Sequence, residues 1–227
     1  MPAVIPTFLL LGLLTLAAAF ARAAPSAAEL ALQENRMRAE LVASGTNVAR
    51  LFALADVCHE LGVTGDKQAV TRAEGYLRLL LALSPTNGPA VALLGSVFTM
   101  KGRDAFWPTT QLKLVREGNA LMDQGVGFAP DDIQTRCIRA LNNAHMPDFL
   151  GRVDLVRADL AWLWERIDRE AARFTPTARQ KTALHWGRQL LRLGKPEDAR
   201  EVWTRGAMFP PENEVTRELL AEIAKLR

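Results

Sequence analysis

From residue 26 onward, apolar side chains recur at three- and four-residue spacing, and Gly, Pro, Asn or Asp break the pattern every fifteen to twenty residues. That period predicts helices over 26–43, 47–61, 67–83, 88–101, 110–127, 131–144, 152–173, 177–193, 196–208 and 212–226. Capping residues support several of these boundaries. Thr46-Asn47 opens one helix and Ser84-Pro85 closes another. Asp131-Asp132 and Pro196-Glu197-Asp198 place acids in first turns, where the helix dipole favours negative charge. Apolar residues make up 49% of the 227-residue chain, which excludes disorder, and β-branched runs long enough for strands are missing. The composition is that of an all-helical protein with short connections.

A longer period lies over the helical one. A small residue, an apolar residue four later and a proline eight after that occur as Ala73/Leu77/Pro85, Gly118/Met122/Pro130 and Ala199/Trp203/Pro211. Another small residue follows each proline by ten: Gly95, Ala140 and Ala221. The clearest unit runs from Ala183 to Pro211, where Gly194-Lys195-Pro196 breaks the chain between two helices. Gly187 and Ala199, 12 apart, are small where the antiparallel pair must approach closely. Gly95 and Gly102 repeat the seven-residue step of Gly187 and Gly194. Gly187 is therefore expected to tolerate no larger side chain. Gly125, given no packing role by this pattern, is expected to tolerate Ala.

These residues resemble the tetratricopeptide repeat family, whose unit is a pair of helices that repeats along the chain. The unit from Ala183 to Pro211 fits it well. Elsewhere the prolines at 85, 130, 176 and 211 are 45, 46 and 35 apart, and Gly95 and Gly118 are 23 apart instead of 12. The difference is expected as an insert near Lys101 to Gln111. More loosely, Ser84 to Trp164 resembles an uncharacterised group of secreted bacterial tetratricopeptide-like proteins. The likeness runs through Pro85-Thr86-Asn87, Leu94-Gly95, Pro130-Asp131-Asp132, Arg136, Arg139 and Met146-Pro147-Asp148-Phe149-Leu150-Gly151. It supplies no activity. The resemblance implies an all-α, right-handed α-solenoid of stacked antiparallel helix hairpins, forming one domain over 24–227.

The start of the chain bears on compartment. Phe8 to Phe20 is an uncharged apolar run, followed by Ala21-Arg22-Ala23, which fits the small-x-small rule for cleavage. A signal peptide over 1–23 is expected, with a mature, periplasmic or secreted chain from Ala24 and no stable membrane insertion afterwards. The competing reading is an uncleaved anchor, since Pro2 to Ala21 is uncharged over the length of a bilayer span and Met1 to Thr7 carries no Lys or Arg. Cys58 and Cys137 could pair in an oxidising compartment or lie as two separately buried thiols. A formal charge of +3 is lower than a nucleic-acid binder would carry, so no such partner is expected.

No catalytic constellation emerges. His59, His145 and His185 do not cluster in the sequence, and Cys58 and His59 point about 100° apart on a helix. No phosphate loop or nucleophile elbow is present. Neither cofactor nor metal is expected, and the reading is of a protein that is not an enzyme. Trp162 and Trp164 flank an apolar stripe and read as core. The candidate partner-binding residues lie in the insert, at Lys101, Arg103, Phe106 and Trp107, and on the helix after it. There Arg136 and Arg139 share a face that suits an anion or an acidic peptide, unless Asp154 or Asp159 pairs with them internally. Phe106 and Trp107 either fold back to plug a groove or form a binding loop. The expected function is an exported, non-enzymatic scaffold whose concave wall binds a protein or peptide. The alternative is a small-molecule or anion-binding accessory of a solute transporter.

Overall fold

The computed structural model describes residues 25–226, so the candidate leader over 1–23 lies outside the described residues. Within them the chain forms ten α-helices and no strand. They are α1 (Ala27–Ser44), α2 (Val48–Val63), α3 (Lys67–Leu83), α4 (Gly88–Asp104), α5 (Pro108–Phe128), α6 (Ile133–Asn143), α7 (Val153–Arg166), α8 (Pro176–Arg192), α9 (Pro196–Ala207) and α10 (Glu214–Ala224). Polar side chains set most of the starts: Ser26, Asn47, Asp66, Asn87, Asp132, Thr175 and Asn213 each accept a first-turn backbone N–H. One predicted helix is shorter than its pattern. The span 152–173 becomes α7, a turn and a single 3-10 turn at Ala171–Arg173. Across Asp168–Arg169–Glu170 no apolar residue follows the buried Ile167, so nothing on that stretch holds a helix to the core.

Successive helices pair as the hairpins α2–α3, α4–α5, α6–α7 and α8–α9, with α1 and α10 at the ends. The even-numbered helices also touch one another in order, α2 on α4, α4 on α6, α6 on α8 and α8 on α10. The odd-numbered helices α3, α5, α7 and α9 make no comparable run of contacts. A stack that is tight on one side and splayed on the other bends toward the tight side, so the even-numbered helices form the inner wall of an α-solenoid. Its core is divided among the hairpins. One apolar cluster contains Leu51, Leu77, Leu80, Leu93 and Val97, a second Ile133, Leu160, Leu163 and Ile167, and a third Ala183, Trp203 and Leu219. Cys58 sits in the first cluster and Cys137 in the second, so the cysteines are two free buried thiols and not a bridge.

The expected insert is not a loop. Helix α4 continues to Asp104 and α5 starts at Pro108, leaving only Ala105, Phe106 and Trp107 to connect them. The extra residues lengthen both helices of one hairpin, and glycine makes that possible. Gly88 lies against Gly125, Gly95 against Gly118, and Gly102 against Gln111, three contacts at a seven-residue step on each helix. A Cβ at Gly95 would stand 2.5 Å from the Gly118 carbonyl oxygen, and one at Gly125 2.7 Å from the Gly88 carbonyl oxygen. The two backbones therefore touch along most of their length. This corrects the expectation for Gly125, whose role is invisible until its partner is known. Gly187 meets its expectation through a different neighbour, since it faces the indole of Trp203, which donates to the Leu184 carbonyl at 3.0 Å.

The seam predicts a sharp contrast within one helix. Gly125→Ala places a methyl group against backbone that cannot move aside and is expected to destabilise the fold by about 2 kcal/mol. Gly127→Ala meets nothing within 4 Å and is expected to be neutral or to stabilise by up to about 1 kcal/mol through helix propensity. Urea denaturation of the two variants checks this.

Candidate functional site

The six residues singled out from the sequence fall into two groups. Lys101 and Arg103 end α4. Lys101 Nζ lies 2.7 Å from Glu74 Oε2 and 5.3 Å from the Phe98 ring, while Arg103 binds Asp104 at 2.9 Å and the Gly62 carbonyl at 3.2 Å. Beyond them, Phe106 and Trp107 pack edge to face at 5.0 Å and remain 84% and 66% exposed, so they plug no groove. Arg136 and Arg139 lie toward the other end of the hairpin, where Arg139 reaches Asp123 of α5. The helix rise from Trp107 to Asp123 puts about 24 Å between the two groups.

Arg136 and Arg139 are turned inward. Both converge on Asp159 of α7, which is 1% exposed: Arg136 Nη1 donates at 2.8 Å, and Arg139 donates twice, at 2.7 and 2.9 Å. Arg139 also reaches Asp123, which Arg152 grips with two further hydrogen bonds at 2.8 and 2.7 Å, and Arg152 donates to Asn143 as well. Burial raises the Asp123 carboxyl, but the guanidinium groups of Arg152 and Arg139 outweigh it and hold the group below the usual carboxylate range. Trp162 and Trp164 are half-buried at the margin of the second apolar cluster. Trp162 is stacked between Arg136, 4.5 Å away, and Arg166, 3.8 Å away, and Arg205 covers Trp164 at 4.6 Å. The ionic network ties α5, α6 and α7 together.

A row of polar side chains, none of them among the predicted site residues, crosses the inner wall. His59 Nε2 on α2 meets the Ser96 hydroxyl on α4 at 2.8 Å, and Asn142 on α6 donates to both Ser96 and Thr99 at 2.9 Å. At the end of α6, His145 packs edge to face on His185 of α8 with centroids 4.8 Å apart. Arg188 on α8 continues the row to Glu222 and Glu218 on α10, at 2.7 and 3.4 Å. The histidines therefore do cluster in part, contrary to the expectation from sequence. His145 and His185 are far apart in the chain and meet only because adjacent repeats stack. The signal was present as spacing near one repeat, since 37 residues separate His59 from Ser96 and 46 separate Ser96 from Asn142.

The wall retains unused polar capacity. His59 Nδ1 and Gln189 Oε1 are buried without a hydrogen-bond partner. His59 Nδ1 stands 3.7 Å from the exposed Glu60 carboxylate, and this contact lowers the Glu60 pKa, with further help from Lys181 of α8. Lys181 of α8 and Glu60 of α2 therefore stand within electrostatic range of each other across the wall. Burial raises the carboxyl of Asp56 on α2, against the opposing charge of His59. His185 is buried, and desolvation, followed by His145, Arg188 and Lys181, pushes its pKa down to about 3. His145 is also lowered, by desolvation and by Lys181 and Arg188. Among the described residues no group of three or more His, Cys, Asp or Glu is placed to hold a metal ion. No helix there is long and apolar enough to cross a membrane.

No protein-family model and no curated protein sequence matches the chain. Among solved structures it is similar to a thermophilic TPR protein from Thermus thermophilus, at 16% identity and a TM-score of 0.64, over 88% of this chain and 91% of that one. The likeness extends over nearly the whole length and establishes a tetratricopeptide-like solenoid.

Two consequences of this geometry are measurable. Asp159→Ala removes the buried carboxylate that two half-buried guanidinium groups share, leaving Arg136 without an anion and Arg139 with Asp123 alone, and is expected to cost about 3 kcal/mol in chemical denaturation, with Arg136→Ala and Arg139→Ala also lowering the melting temperature. For His185 the folded pKa of about 3 lies below the ordinary value of about 6.5, so as pH falls through that ordinary value the unfolded chain takes a proton that the folded one refuses. Its contribution is intact above that pH and is lost progressively as the pH falls toward the folded value. Stability is expected to drop by about 2 kcal/mol between about pH 7 and pH 5, and His185→Gln to remove most of that slope.

Proposed function

We propose that this chain is an exported, non-enzymatic scaffold that holds an extended segment of a protein partner along the wall formed by α2, α4, α6, α8 and α10. The reading rests on the polar row from His59 to Glu222, which spans all five of these helices and retains donors and acceptors of its own. A chain lying across the wall presents backbone N–H and C=O groups at short intervals. Asn142, His145 and Lys181 can meet them without displacing an existing core contact. Helical-repeat folds commonly use such extended concave surfaces to bind other proteins. No activity is assigned, because His59 is hydrogen-bonded to Ser96 and His185 is packed on His145 across the wall, and these groups do not surround a reacting centre. Export belongs to the proposal through the apolar run Phe8 to Phe20 and Ala21-Arg22-Ala23.

One experiment addresses both parts. The full chain is expressed in its native host with a photo-crosslinking residue at Asn142 or Lys181 on the wall, or at Thr71 or Gln124 on the odd-numbered helices. The expected outcome is an exported product whose N-terminal mass begins near Ala24, with one discrete protein crosslinked from the wall positions and none from the other two. His145→Ala combined with Lys181→Glu is expected to weaken capture at least tenfold. Equal crosslinking from both sets of positions overturns the wall as the binding surface. Thermal stabilisation by a small anion without any protein crosslink favours the small-molecule accessory instead.

A further inference from the structure

We propose that the tip of the α4–α5 hairpin docks on the surface of an anionic phospholipid bilayer, with Phe106 and Trp107 entering the headgroup region. The tip projects from the stack. Asn119 of α5 touches Met146, which begins the neighbouring α6–α7 turn, at 3.9 Å. Trp107 lies at the far start of α5, so by helix rise the tip stands about 18 Å beyond that turn. On the other side the end of α2 and the first half of α3 come close, through the Arg103 contact with Gly62 and the Lys101 ion pair with Glu74, and stop short of Phe106 and Trp107. Phe106 and Trp107 pack on each other and on nothing else named in the core. Two large aromatic side chains are held in water at the end of a projecting rod. The glycine contacts 88 with 125, 95 with 118 and 102 with 111 close the two helices of that rod backbone to backbone, so the tip is presented by a stiff element.

Charge selects the occupant. Between Lys101 and Arg116 the chain carries four cations, Lys101, Arg103, Lys113 and Arg116, and a single acid, Asp104. That excess equals the +3 of the entire chain, so the remainder is balanced. From Ala105 to Arg116 there is no acidic residue. Asp104 is gripped by Arg103 and Lys101 is paired with Glu74 of α3, so the cations left to face a partner are Lys113 and Arg116. Lys113 and Arg116 lie on one face of α5 and are exposed; Lys113 approaches Glu117 only to 3.8 Å, and Arg116 makes no ion pair among the described residues. Trp favours the membrane–water interface, where its ring is half buried and its N–H wet, and Lys and Arg nearby are attracted to anionic headgroups. A convex aromatic knob set among cations fits such a surface. With two aromatics and no spanning helix in the described residues, the docking is peripheral, reversible and sensitive to salt.

The test uses the full chain with vesicles of phosphatidylcholine alone or mixed with phosphatidylglycerol, the latter also in brominated form as a contact quencher of tryptophan. The region 1–24 contains no Trp, and the remaining four are Trp162, Trp164, Trp186 and Trp203 in the second half of the chain. The emission component lost in Trp107→Phe therefore reports the tip by itself. The expected result is quenching of that component by brominated phosphatidylglycerol. Phe106→Ala combined with Trp107→Ala should reduce binding at least tenfold, Lys113→Gln combined with Arg116→Gln about threefold, and high salt should release the protein. Both double variants should keep the wild-type melting temperature, since the altered side chains are largely exposed. If quenching in Trp107→Phe equals that of the wild type, or the aromatic double variant binds anionic vesicles as tightly as the wild type, lipid docking is overturned. The knob would then have to be covered by a protein surface.

Discussion

The close approach of α4 and α5 organises this molecule. Two helix backbones in contact along a glycine seam bury their peptide groups against each other and leave no room for side chains between them. The seam fixes where α4 sits in the inner wall, because Val91, Ala92, Leu93, Leu94 and Val97 on the same helix are all buried. It also lets the hairpin run longer than its neighbours. A repeat protein is stabilised by contacts between adjacent hairpins, and an unusually long hairpin can project from such a stack only if it holds itself together. Glycine at seven-residue spacing meets that requirement.

Between hairpins the fixing contacts are ionic and directional. Glu34 of α1, 4% exposed, is held by Arg72 of α3 through two hydrogen bonds at 2.7 and 2.9 Å. Cys58 lies beside that pair, and burial, reinforced by Glu34, pushes its thiol up to about 12, so it is a packing residue and not a nucleophile. The Asp159 and Asp123 network does for α5, α6 and α7 what Glu34 and Arg72 do for α1 and α3. At the C-terminal end, Gln180 of α8 donates to the Phe209 and Pro211 carbonyls and accepts from Asn213. Such buried polar contacts add little net stability, but removing one partner is costly. They set the angle at which each hairpin meets the next, and the shape of the inner wall follows from those angles.

The inner wall and the hairpin tip differ in chemistry. The inner wall offers hydrogen-bonding groups held between neighbouring repeats, suited to a polypeptide backbone. The hairpin tip offers exposed aromatic area and positive charge on a convex end. A protein that uses both would hold its partner at one surface of the solenoid and its position at another.

The ten helices are legible in the sequence because their causes are local. Caps such as Asn47 and Asp132 act on N–H groups three residues away, and apolar periodicity is a property of a single turn. The same local information marks Gly95 and Gly102 as a seven-residue step and Arg136 and Arg139 as one face. It cannot say what stands opposite. Gly125 looks like a spare glycine until Gly88 is placed against it, the two arginines suit a free surface or an ion pair until Asp159 closes on them, and His145 stands isolated until α8 brings His185 alongside. Each of these partners is separated by a helix or more of intervening chain. Which residue meets which depends on the exact length of every helix and turn between them, so that one added residue rotates a whole helix face by about 100°. The chain by itself therefore specifies its helices, its repeat and the residues able to form each contact, while the pairing of those residues, and with it the inner wall and the exposed tip, is decided only when the hairpins stack.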